Sequence, residues 1–448
     1  MRFHGTMAIN HKGHLEIGGC DTVDLVRNFG TPLIVLDEML IRETCRKFYR
    51  SFVEKYGHAQ VIYANKAFSA PALCRIINEE KLGLDVVSGG ELYTALQADF
   101  PPEHIYFHGN NKSPAEIRMS LEAGVARIVV DNFHEMNLVN EISASLGKKA
   151  DILLRITPGI EAHSHEYIKT GQIDSKFGFT LPNGQALEAV VKTLDCSHLR
   201  FKGLHCHIGS QVFELESYVH TVQVMFDFMD LIRRKTGLVC EELNLGGGFG
   251  IYYTEEDRPA SIETYADTVM EAVREEARNR EYPLPLVIVE PGRAIIGPAG
   301  TTLYTIGATK DIPGVRKYVS TDGGMADNIR PALYQAKYEA ALANKIAEAP
   351  EEKVSITGKC CESGDMLIWD IMLPKVEAGD ILAVSCTGAY SYAMSSNYNS
   401  LGRPEVILVQ NGMADVIIRR ESYEDMLRNH VIPKRLKKEA GLDLVSIL

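Results

Sequence analysis

The chain has 448 residues, 45% of them hydrophobic, which is enough to bury a large core and favours two or more domains. Its formal net charge of −12 works against a general affinity for nucleic acid or anionic membrane, since both attract clustered Lys and Arg. A small anionic ligand needs only local cations and survives that exclusion.

No apolar run approaches the roughly 18 residues needed to span a bilayer, and the amino terminus, with His4, His11, Lys12 and His14, lacks the apolar stretch of a signal peptide. A cytoplasmic protein is expected, with neither membrane nor nucleic acid as partner. The nine cysteines form no dense framework, and neither Cys360-Cys361 nor Cys206 has zinc-finger spacing, so reduced thiols are expected.

In chain order, the first β-type run is 33–36, and from about residue 59 a regular alternation begins. Short β-rich apolar runs at 61–64, 84–87, 105–107, 127–130, 152–156, 203–207, 242–245 and 286–289 are separated by helical stretches, the pattern of βα units around a parallel sheet. Eight such runs are the number a (β/α)8 TIM-type barrel requires. Ser113-Pro114 followed by Glu116 predicts a helix start and Gly124 its stop, while 217–236 carries apolar residues at helical spacing.

After Gly300 the texture changes to short β-branched runs at 302–306, 318–320, 354–357, 381–385 and 406–409, which reads as a mostly β carboxy-terminal domain. A helical insertion is expected over 331–346, and a peripheral, helical tail over 421–448. The expected organisation is an amino-terminal segment 1–36 whose strand joins the β domain, a barrel over 37–300, and the β domain over 301–448.

Chemistry on such a barrel belongs at the carboxy-terminal strand ends. The first strand runs into Asn65-Lys66, the sixth into His207-Ile208-Gly209-Ser210, the seventh into Gly246-Gly247-Gly248 and the eighth into Glu290-Pro291-Gly292-Arg293. These supply an amine, an imidazole, converging backbone N–H groups for an anion, and a carboxylate. Each also has a plain reading: Lys66 as a solvated charge, the glycines as a flexible turn, His205 and His207 as core histidines or metal ligands, Glu290 as an ion-pair partner of Arg293. Without Cys or carboxylate partners at ligand spacing, no metal is expected at the two histidines.

As a set, the motifs resemble the diaminopimelate decarboxylases, pyridoxal-phosphate enzymes of the alanine-racemase (fold type III) class. The resemblance spans nearly the whole chain. It is carried by Tyr63-Ala-Asn-Lys66-Ala-Phe68, Leu84-Asp-Val-Val-Ser-Gly-Gly-Glu91, Phe107-His-Gly-Asn-Asn-Lys112, Asp174-Ser-Lys-Phe-Gly178, His205-Cys-His-Ile-Gly-Ser-Gln211, Asn244-Leu-Gly-Gly-Gly-Phe-Gly250, Glu290-Pro-Gly-Arg293, Ile329-Arg-Pro-Ala-Leu-Tyr334 and Cys361-Glu-Ser-Gly-Asp365.

The resemblance implies that Lys66 holds pyridoxal 5'-phosphate as a Schiff base, that His207 stacks on the ring, and that Glu290 pairs with the ring nitrogen. Ser210, Gly247 and the backbone from Glu290 through Gly292 to Arg293 would surround the phosphate. Arg293, Arg330 and Tyr334 would receive the distal carboxylate of meso-diaminopimelate, Glu362 its distal ammonium, and Cys361 would return a proton after CO2 leaves. Tyr390 would lie near cofactor and substrate. The family's Cys-Glu loop reaches the site of the opposite protomer, so a homodimer with shared active sites is implied.

Three other readings compete with that one: a decarboxylase of ornithine, arginine or carboxynorspermidine, an amino-acid racemase, and a non-catalytic pyridoxal-phosphate carrier. Arg330 and Glu362 argue against the first, Glu290 against the second, and the β domain bearing Cys361-Glu362 against the third. The composition of 159–176, with His163, His165 and Gly171, also suits a lid loop.

Overall fold

The computed structural model describes residues 1–160 and 174–437. Eight parallel strands, Ala59–Ala64, Gly83–Val86, Ile105–Phe107, Arg127–Val130, Ala150–Thr157, Leu199–Cys206, Glu242–Asn244 and Leu286–Val289, pair in sequence order. The last pairs with the first, Val289 opposite Val61, which closes the barrel. A short strand, Phe179–Thr180, adds to the outside of the fifth. The barrel expectation holds because most of these runs are apolar and rich in β-branched residues, as strands packed between an inner filling and an outer helix layer must be.

The outer helices follow the expected signals. Ser113 caps Pro114–Ala123 in a capping box with Glu116, and Gly124 ends the helix at a φ of 82°. Leu215–Thr236 buries Val222, Met225, Phe226 and Met229 along one stripe. Among the described residues, no helix is long and apolar enough to cross a membrane.

The second sheet is mixed and takes in all five β runs expected after Gly300. Leu33–Asp37, entirely buried, lies inside it, antiparallel to Gly300–Leu303 and parallel to Glu405–Val409. The amino-terminal strand therefore joins the β sheet at the point where the chain leaves the barrel.

Two expectations are corrected. The segment 331–346 is not one helix: Arg330–Tyr334 forms little more than one turn, and Gln335 stops it in the left-handed region at φ 53°. Ala340–Leu342 then pairs antiparallel with Leu382–Val384, burying Ala340 and Leu342. Its alanine-rich composition favours a helix locally, but sheet pairing and alternate burial override that preference. In the tail, only Tyr423–Leu427 is α-helical, followed by a 3-10 turn at Lys434–Leu436; residues 438–448 lie outside the described residues. Most of the 159–176 segment, including His163, His165 and Gly171, lies outside them as well. The strands Met366–Leu373 and Met413–Ile418 carry the exposed apolar residues Trp369, Met372 and Met413, which blur their alternation in sequence.

Candidate active site

A cavity of about 620 Å³ opens at the carboxy-terminal ends of the barrel strands. Lys66, His207, Ser210, Gly247, Glu290, Gly292, Arg293, Arg330, Tyr334 and Tyr390 all line it. Four barrel strand ends and two segments of the β sheet thus contribute to one space.

Lys66 sits in the 3-10 turn Asn65–Ala67 directly after the first strand. Protein surrounds it, yet its side chain is open to the cavity. Burial lowers its pKa, but Tyr390, Asp85 and Glu290 outweigh that and leave it raised. Tyr390 is held beside it by its backbone N–H, which donates to the Ala67 carbonyl at 2.8 Å, at an unusual φ of 61°.

His207 accepts a hydrogen bond at Nδ1 from the Gly247 N–H. Burial, then Lys66 and Arg155, push its pKa well below the ordinary 6.5, so the ring is neutral and Nδ1 keeps its lone pair. Gly247 must lack a side chain, because a Cβ there would lie 2.3 Å from the Glu290 carbonyl oxygen. Gly292 is equally confined, 2.9 Å from Ala64 Cβ.

Glu290 does not pair with Arg293. Its Oε1 accepts from Asn244 Nδ2 at 2.7 Å and lies 2.9 Å from His108 Nε2, and its Oε2 lies 3.4 Å from His205 Nε2. Burial alone would raise this carboxyl, but His108 and His205 outweigh it and hold it well below the carboxylate range. His205, lowered by burial to about 4, is neutral and offers a ring N–H to the anion. His108, His205 and Glu290, all buried, have the donor types of a metal site.

Arg293 instead donates to Tyr253 Oη at 2.6 Å and Ser210 Oγ at 2.9 Å. Its guanidinium lies 4.8 Å from the Tyr390 ring centre, and that of Arg330 lies 5.5 Å from Tyr253 and 5.9 Å from Tyr334. Both arginines are buried, both leave Nε without a hydrogen bond, and neither has a carboxylate partner among the described residues. Two such cations facing one cavity call for anions from outside the chain. Tyr253 was not singled out by sequence, although it stands only three residues beyond the glycine motif.

Cys361 and Glu362 are not part of this cavity. Both are exposed on a turn tied down by buried Asp365, which accepts from the N–H groups of Met325 and Cys360. The Cys361 N–H donates to Asn399 Oδ1. Cys360 is half-buried, and burial raises its thiol to about 11.

A cleft with an open amine, a buried carboxylate anion and glycine-lined strand ends has the donor set for a phosphorylated aldehyde with a ring nitrogen, and the two guanidiniums without a carboxylate partner among the described residues can take a further anion. Residues 41–297 match the pyridoxal-binding domain of the pyridoxal-dependent decarboxylases. The chain is 54% identical over 428 residues to the diaminopimelate decarboxylase of Bacillus subtilis, covering 96% of this chain and 98% of that protein. The chain belongs to the diaminopimelate decarboxylase family.

The Halalkalibacterium halodurans family member is also 54% identical, with the same coverage. In structure, the chain resembles the M. jannaschii diaminopimelate decarboxylase solved in complex with L-lysine, with a TM-score of 0.90 and 35% identity, covering 96% of this chain and 99% of that one. As a member of the family, the protein is a carboxy-lyase whose cofactor is pyridoxal phosphate.

Proposed function

We propose that this enzyme converts meso-2,6-diaminopimelate into L-lysine and CO2, the last step of lysine biosynthesis, with the residues of the cavity in the following roles. The observation that carries the substrate choice is the pair of buried guanidiniums, Arg293 and Arg330, without acidic partners among the described residues. A diaminopimelate carboxylate distant from the reacting carbon gives them one; ornithine and arginine have no such group.

Lys66 Nζ would hold the cofactor through its aldehyde carbon, in the place that the substrate amine would take. Bound pyridoxal phosphate supplies an electron sink for the bond pair left when CO2 departs. Glu290 stays ionised and favours a proton on the ring nitrogen, which separates decarboxylation from racemisation on the same type of barrel. Neutral His207 offers its flat face to the ring, its orientation set by the Gly247 N–H. Ser210, Gly247, Gly292 and the Arg293 backbone serve the phosphate. Tyr334 and Tyr390 close the substrate space around the two arginines.

Cys361 and Glu362, exposed and outside the lining of their own cavity, serve the site of a second copy in a homodimer. There Glu362 takes the distal ammonium and the Cys361 thiol delivers a proton to the carbon that lost CO2. All nine cysteines are unpaired, as suits the reducing cytoplasm.

The direct test is to supply the purified chain with pyridoxal phosphate and meso-diaminopimelate and measure CO2 and lysine together. Stoichiometric release of both is expected. Release of CO2 from ornithine or arginine but not from diaminopimelate would overturn the substrate assignment.

A further inference from the structure

Glu290 is enclosed by N–H donors from three other strand ends. His108 follows the third barrel strand, His205 lies within the sixth, and Asn244 ends the seventh. The two rings meet edge to face, with centres 4.8 Å apart at 72°, so neither turns without displacing the other. His108 Nε2 is at hydrogen-bonding distance from Oε1 though not in line for a bond, and its other acidic neighbour, Asp85, is 3.8 Å away. Both histidines are more than nine-tenths buried.

We propose that His108 and His205 are positioning residues for Glu290, flanking its two carboxylate oxygens so that it stays anionic and aimed at the cofactor's ring nitrogen. The inference rests on the reading that Glu290 meets that nitrogen. Its chemistry is specific to imidazole. A buried carboxylate without donors takes up a proton, whereas an arginine or lysine beside it would satisfy its charge and repel a protonated ring nitrogen. A neutral imidazole such as that of His205 donates to the anion and leaves its charge available. The titratable groups around Glu290 from the neighbouring elements are Lys66, Asp85, Tyr106, Arg155, Cys206 and His207.

The test uses the full-length holoprotein. His108→Phe and His205→Phe keep ring volume and remove the N–H, while the Gln variants restore a donor near Nε2. His205→Asn, whose donor is too short to reach, replaces His205→Phe if that protein does not fold. Two quantities are read: the dissociation constant for pyridoxal phosphate, and the pH at which the bound cofactor's absorption band changes on the acid side. Loss of the His205 hydrogen bond to the carboxylate, or of the His108 N–H close to Oε1, is expected to weaken cofactor binding by roughly tenfold. The acid-side change moves up by about one pH unit in the Phe variants, and the Gln variants recover most of both effects.

Glu290→Gln separates the two levels of the argument. If it alters both readouts while the Phe variants match the wild type, the histidine assignment is overturned and the role of Glu290 stands. If Glu290→Gln itself leaves both unchanged, the role of Glu290 falls.

Discussion

The backbone N–H of Gly247 donates to Nδ1 of His207 at 3.2 Å, so a glycine at the end of one barrel strand fixes the tautomer of a histidine at the end of its neighbour. Gly247 is itself locked between that ring and the Glu290 carbonyl. Gly247→Ala is therefore expected to destabilise the protein by roughly 1–3 kcal/mol through overpacking. It should also weaken cofactor binding, as seen by calorimetry of the loaded protein and by absorbance titration. An unchanged midpoint would show that the two strand ends can part.

Arg330 is a buried cation with no ion-pair partner among the described residues, and the burial of its charge opposes folding. Arg330→Met is expected to keep or raise the thermal midpoint while raising KM for diaminopimelate at least about tenfold. The opposite result, lower stability with KM unmoved, would make Arg330 structural.

Cys361 and Lys66 belong to different copies of the chain in any one site of the proposed dimer. Lys66→Ala and Cys361→Ala, each inactive alone, are expected to complement when mixed under conditions that allow subunit exchange. Random pairing puts one intact site in half of the dimers, so about a quarter of wild-type activity should return. No recovery, with exchange verified by a mass tag, would mean that each protomer uses its own thiol.

Glu91 gives a pH prediction with a defined sign. Burial pushes its carboxyl up from the ordinary 4.5 to about 7, opposed by a hydrogen bond from the Val87 N–H at 2.9 Å. A raised acid pKa favours the folded state at low pH. That contribution is present below about pH 4.5 and is lost as the pH rises through about 7. Glu91→Gln should match the wild type in denaturant titrations near pH 4.5 and exceed it above pH 7, by up to about 3 kcal/mol. Equal stability at both pH values would place the group in a wetter setting.

The sequence by itself determined the barrel and where its chemistry lies. Eight short, mostly apolar runs at βα spacing leave little other way to bury both faces of each strand, and polar residues at their ends must then gather on one rim. That placed Lys66, His207, Gly247 and Glu290 together before any contact was visible.

Tertiary structure decided what each residue touches. Glu290 stands three residues from Arg293 in the chain, yet its partners are His108, His205 and Asn244, while Arg293 turns to Ser210 and Tyr253. Pairings across the barrel join residues far apart in the chain, such as His108 and Glu290, 182 positions from one another, and local patterns carry no record of them. In the same way, Ala340–Leu342 became a strand through its partner at Leu382–Val384, because the free energy of sheet pairing belongs to two segments and is written in neither alone.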